Sequence, residues 1–182
     1  MIITITGKPC SGKSVVIADL MEKYGFEKFS AGEIFRRIAT ERGIDILELN
    51  RTNDVSIDKM VDDEITRIDE RDIDKNIIFD SRTAWHFIPK SFKVFLDIDE
   101  DEQARRLINS GRTNEKVDLS IEDAKKSMKE RWELENDRYK ALYNFDNRNM
   151  ENYDCVINTS NISVEEVSNK IYENYLKYVE NK

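Results

Sequence analysis

The stretch Gly7-Lys8-Pro9-Cys10-Ser11-Gly12-Lys13-Ser14 constrains this chain more than any other. A glycine, four residues and then Gly-Lys-Ser is the spacing of a loop whose backbone N–H groups converge on phosphate oxygens. Such a loop works only between a strand and a helix, and both neighbours read that way. The preceding MIITIT is short, β-branched and apolar, which predicts a buried strand. After Lys13, the residues Val16, Ile17, Leu20, Met21 and Tyr24 recur at helical spacing, with Gly25 as a stop. That helix would aim its positive N-terminal end at the phosphates. Lys13 would reach the β- and γ-phosphates of a nucleoside triphosphate, and the Ser14 hydroxyl would ligate Mg²⁺.

Four further apolar runs predict strands: 26–30, 76–80, 93–98 and 153–158. Helical patterns separate them. In 54–72 the residues Ile57, Met60, Val61, Ile65 and Ile68 form one stripe on an otherwise acidic helix. Ser120 with Asp123, and Ser163 with Glu166, have the spacing of capping boxes. Alternating strands and helices predict an α/β fold with a parallel sheet covered on both faces. The interval 31–74 is longer than a crossover needs, which predicts a small helical subdomain on the sheet rim. A polar, turn-rich stretch, 111–119, lies between two later helices.

Bulk properties narrow the partners. A formal charge of −8 argues against nucleic acid and anionic membrane. Two cysteines are too few for a disulfide framework, and no run has transmembrane length. The N-terminal run lacks a basic leader pattern, so the expectation is a cytoplasmic protein, monomeric, with nucleotides as its ligands.

A phosphate loop alone does not say whether the phosphate switches, powers or transfers. Arginines bear on that choice. Arg36 follows a Ser-Ala-Gly turn; Arg82 lies two residues past Asp80, at a predicted strand end where open α/β sheets bind ligands. Arg106 and Arg112 lie around the polar stretch, while Arg131 and Arg138 share one helix face. Guanidinium groups suit phosphate oxygens because they stay charged and bind in a bidentate way. Each arginine could also be a surface ion pair, with Glu135 placed to bridge Arg131 and Arg138. Asp80 could hold the hydration shell of Mg²⁺ or merely begin a turn. A guanine-reading Asn-Lys-x-Asp segment, which a GTP switch needs, is absent. His86, Trp85, Trp132 and the tyrosines of the last helix read as rim or packing residues.

SAGEIFR at 30–36, FDSRTAW at 79–85, RYKALYNFD at 138–146 and YDCVINTS at 153–160 resemble, in order, segments of the adenylate kinase superfamily, and most closely its archaeal-type cytidylate kinases. The resemblance implies a P-loop kinase, a three-layer fold around a five-stranded parallel sheet. The interval 31–74 would be its acceptor-binding insertion and 111–119 a short lid. It implies ATP with Mg²⁺ as donor and CMP or dCMP as acceptor. The loop from Gly7 to Ser14, with Arg106, Arg112, Asn158 and Thr159, would hold ATP. Ser14 and Asp80 would serve the metal. Ser30, Arg36 and Arg82 would face the monophosphate, and Lys13, Arg82, Arg131 and Arg138 would neutralise the transferring group. The chain departs from the family pattern at Cys10, where glycine is usual, at Val15, at DSRTAWH, which lacks a glycine before the arginine, and at YNFD. Two other readings share the phosphate residues: a kinase for a different small acceptor, and an ATPase acting as a regulatory or assembly factor.

Overall fold

The computed structural model describes residues 1–43, 55–71, 75–110 and 120–181. In chain order these form β1 (Ile2–Gly7), α1 (Lys13–Tyr24), β2 (Glu27–Ser30), α2 (Ala31–Arg42), α3 (Val55–Arg71), β3 (Ile77–Asp80), a single turn α4 (Ala84–Phe87), β4 (Phe92–Asp97), α5 (Glu100–Asn109), α6 (Ile121–Tyr143), a 3₁₀ turn (Met150–Asn152), β5 (Cys155–Asn158) and α7 (Val164–Glu180). The strands pair in the order β2-β3-β1-β4-β5, all parallel. The expected five-stranded α/β fold is present, and β1 lies at its centre. The chain leaves β1 toward β2 on one side and later crosses to β4 on the other, so the loop after β1 opens at the topological switch point.

Alternation along the strands divides the core between the two faces of the sheet. Ile3, Ile5, Val94, Leu96 and Ile157 pack with Val16, Ile17 and Leu20 of α1 and Val167, Ile171 and Tyr175 of α7. On the other face Ile77 and Phe79 meet Ile34, Val61 and Ile65, while Phe95 meets Trp85, Tyr139, Phe145 and Tyr153. Trp85, Trp132 and the tyrosines of α7 are therefore packing groups, and His86 is exposed. Thr4 and Thr6 of β1 are also fully buried. Thr4 shares a hydrogen bond with Ser91, and Thr6 Oγ1 donates to the Ser81 carbonyl at 2.8 Å, fixing the turn after β3.

Local expectations are corrected in three places. Met21 is exposed, because α1 buries only Val16, Ile17 and Leu20. In α3 Val61 and Ile65 are buried but Met60 is 47% exposed; it lies about 100° round the helix from Val61, which narrows the stripe. The side chains of Ile57 and Ile68 lie outside the described residues. Ser163 and Glu166 form a complete capping box. Ser120 caps α6, but Asp123, with a carboxylate one methylene shorter than glutamate's, bonds the serine hydroxyl instead of reaching the cap backbone. Of the interval 31–74, α2 and α3 are described; of the segment 111–119, including Arg112, nothing is described. No helix among the described residues is long and apolar enough to cross a membrane.

Candidate active site

The loop between β1 and α1 owes its shape to three backbone positions. A Cβ on Gly7 would lie 2.4 Å from the Leu96 carbonyl oxygen, so no side chain fits there. Gly12 has φ +87°, a left-handed conformation open to glycine. Cys10 has φ 61° and adopts the same region with a side chain. The place where this chain departs from the family's glycine is thus one where the backbone asks for glycine. The buried Ser11 hydroxyl has no hydrogen-bond partner among the described residues.

At the end of this loop opens a cleft of about 520 Å³. Lys13 and Ser14 line it from α1, and Ser30 and Arg36 from β2 and α2. Asp80 and Arg82 enter from the end of β3, and Arg131 and Arg138 from α6. The register explains the convergence: Ser30 pairs with Asp80, and Asp80 with Ile5, so three parallel strands deliver their C-terminal ends together. Lys13 Nζ stands 3.9 Å from Asp80. Arg131 Nε meets Glu135 at 3.1 Å, and the other oxygen of Glu135 contacts Arg82. Glu135 is therefore not confined to the helix surface: it turns inward and bridges α6 to the turn after β3. Arg138 and Arg82 lie over the rings of Tyr139 and Trp132.

Crowding of like charge is the electrostatic signature of the cleft. Burial, then the Arg82 guanidinium, pull the Lys13 ammonium down to about 8, against the attraction of Asp80. Burial, and then Arg131 and Arg138 among the charges, lower Arg82 to about 10. A polyanion is the ligand that would relieve both. The phosphate loop, its orphaned hydroxyl and this excess of cations fit a nucleoside triphosphate. The hard oxygen donors of Ser14 and Asp80 fit Mg²⁺, which takes most of its ligands from phosphates and water.

Other expected residues lie elsewhere. Arg106 braces the loop: Nη2 donates to the Thr159 carbonyl at 2.7 Å and Nη1 to the Cys10 carbonyl at 3.5 Å. Thr159 Oγ1 lies 2.9 Å from the Ser11 carbonyl, Asn158 donates to Asp99, and Lys8 pairs with Asp97 at 2.7 Å. Of the described residues expected to hold ATP, only Lys13 and Ser14 line the cleft; Gly7, Lys8, Pro9, Cys10, Ser11, Gly12, Arg106, Asn158 and Thr159 do not. Lys28, Asp62, Thr83 and Tyr139 do line it although no role was expected of them, because each reads as an ordinary strand, helix-face or turn residue.

The central strand, its phosphate loop and the helices on both faces of the sheet make a P-loop-kinase-like three-layer α/β fold. The sequence profile of the cytidylate kinase-like family matches residues 2–161, and the chain belongs to that family. It is 35% identical over 181 residues to a cytidylate kinase of Sulfurisphaera tokodaii, covering 98% of this chain and 97% of that protein. It is also 35% identical over 175 residues to a cytidylate kinase of Methanocella arvoryzae, covering 95% of each. A shikimate kinase from Acinetobacter baumannii superposes with a TM-score of 0.63 over 97% of this chain and 93% of that one. At 17% identity, that likeness concerns the fold alone.

Proposed function

We propose that the chain transfers the γ-phosphoryl group of ATP to a nucleoside monophosphate, with CMP or dCMP as the acceptor. The observation that carries this reading is the convergence of Lys13, Arg36, Arg82, Arg131 and Arg138 on one cleft at the end of a phosphate loop. These cations enter from α1, α2, the turn after β3 and α6, so they surround the cleft, and that arrangement suits two phosphate esters held together. Two curated relatives support the choice of acceptor, since each is matched over 95% or more of both chains and is named a cytidylate kinase.

In this reading the acceptor phosphate needs no general base, because it is already an anion. The work is positioning and charge neutralisation. Arg36 and Arg82 orient the acceptor phosphate, and Lys13 steadies the donor's β- and γ-phosphates. Arg131 and Arg138, on one face of α6, offset the charge spread over the transferring group. Mg²⁺, held through Ser14 and Asp80, would add Lewis-acid neutralisation of the donor phosphates. Arg106 acts indirectly, by bracing the loop through Cys10 and Thr159.

The test is an acceptor panel in an ADP-release assay: CMP, dCMP, UMP, AMP, a non-nucleotide alcohol, and no acceptor. Turnover that depends on CMP or dCMP is the expected result. Equal ATP hydrolysis in every well would identify an ATPase, and turnover confined to the alcohol a different kinase.

A further inference from the structure

The phosphate loop is held from outside at three successive carbonyls. Gln103 Nε2 donates to the Pro9 carbonyl at 2.8 Å, Arg106 Nη1 lies 3.5 Å from that of Cys10, and Thr159 Oγ1 lies 2.9 Å from that of Ser11. Gln103 and Arg106 stand one turn apart on α5, and Thr159 follows β5. Gln103 is 6% exposed and Thr159 3%, too buried for water to compete for either bond. The Thr159 hydroxyl also lies 3.0 Å from the Asp97 carbonyl, but that oxygen already accepts the Thr159 N–H at 3.0 Å. The single hydroxyl proton is therefore best used on Ser11, whose carbonyl has no other donor among the described residues.

A trans peptide is planar, so the C=O of one residue and the N–H of the next point opposite ways. Holding the Pro9 and Ser11 carbonyls outward turns the N–H groups of Cys10 and Gly12 to the inside of the loop. Neither has a backbone acceptor among the described residues, whereas the N–H between them, that of Ser11, turns back to the Lys8 carbonyl at 3.2 Å. Cys10 and Gly12 are also the loop's two left-handed residues, at φ 61° and 87°. Alternation of hand is what makes backbone N–H groups converge on an anion. Cys10 adopts that conformation against the preference of its side chain, so its peptide would relax without the bond from Gln103. Resting on the reading above, in which this loop holds the donor's phosphates, we infer that Gln103 and Thr159 are positioning residues for phosphate binding. They set the Cys10 and Gly12 N–H groups before any ligand arrives, so binding loses less in ordering the loop. Neither lines the cleft, and each acts through the loop alone.

The test measures the affinities of inorganic tripolyphosphate and of ATP by calorimetry in the wild type, Gln103→Met, Thr159→Val and Thr159→Ser. Methionine and valine keep the size of the side chain but cannot donate; serine keeps the hydroxyl. Gln103→Met and Thr159→Val should each weaken tripolyphosphate and ATP by the same factor, about three- to tenfold, the worth of one hydrogen bond. Thr159→Ser should stay within about twofold of the wild type, because its donor survives. In the kinase assay the loss should fall on the KM for ATP and leave the KM for CMP unmoved. A packing role alone would lower the melting temperature without separating valine from serine in tripolyphosphate affinity. Weaker ATP with unchanged tripolyphosphate would mean contact with the base, and overturns the inference. So does unchanged affinity for both ligands in Gln103→Met and Thr159→Val; should one of these fail to fold, the other decides. A wild type that binds neither ligand defeats the phosphate-loop reading along with this one. A wild type that binds both, with variants that match it, defeats this one alone.

Discussion

Cys10 shows how one residue can record a compromise. A side chain in the left-handed region costs about 1–2 kcal/mol relative to the right-handed one, and glycine escapes that cost. Glycine also gives the unfolded chain more freedom, which returns about 0.5–1 kcal/mol. Cys10→Gly should therefore raise stability modestly, by about 0.5–1 kcal/mol. A denaturant titration in which the variant unfolds earlier than the wild type would contradict that balance. Lys13 makes a second prediction. Its ammonium, ordinarily at 10.5, releases its proton near pH 8 in the free protein. Between those values the unfolded chain holds more protons, so rising pH favours the folded free protein across this window. Bound phosphates would keep Lys13 charged, so ATP binding above pH 8 should take up a proton and weaken as pH rises. Calorimetry in buffers of different ionisation enthalpy measures the uptake, expected to approach one proton by pH 9. An affinity that is flat from pH 8 to 10 would remove Lys13 from the phosphate site.

Among the elements, α6 does most to assemble the cleft. It presents Arg131, Glu135 and Arg138 to the cleft and ends on Tyr143, which bonds Asp62 of α3. Glu135 holds Arg82 and Arg131 together while no phosphate is between them. Glu135→Gln should lower the stability of the free protein by about 1–3 kcal/mol, less than a fully buried pair because both partners keep some exposure. Sulfate or ATP should narrow the gap, since an anion between the two arginines replaces the lost carboxylate. Thermal melts with and without sulfate check this, and a gap that sulfate leaves unchanged would mean the arginines do not gather anions. The pairing of α6 with the turn after β3 was not legible in the sequence. Glu135 has the right spacing to bridge Arg131 and Arg138 along its own helix, and nothing local reveals that its helix packs against Arg82.

At the scale of the whole molecule, what could be read in advance was whatever depends on neighbours in the chain. The β-branched run before Gly7, the helical repeat after Lys13, the αL stop at Gly25 and the serine caps are local or periodic features, and they recur in the structure. So does the parallel five-stranded sheet, because strands alternating with helices leave few other solutions. The sequence by itself determined that a phosphate loop lies between a buried strand and a helix, with arginines at later strand ends. Only the tertiary structure decided that Arg106 braces the loop while Arg36 and Arg82 reach the cleft, and that Asp62 is buried there against Thr83 and Tyr143. Those contacts join residues 21 to 96 positions apart. Such contacts depend on which strands become neighbours and which helix faces pack, and no local pattern of residue types encodes either.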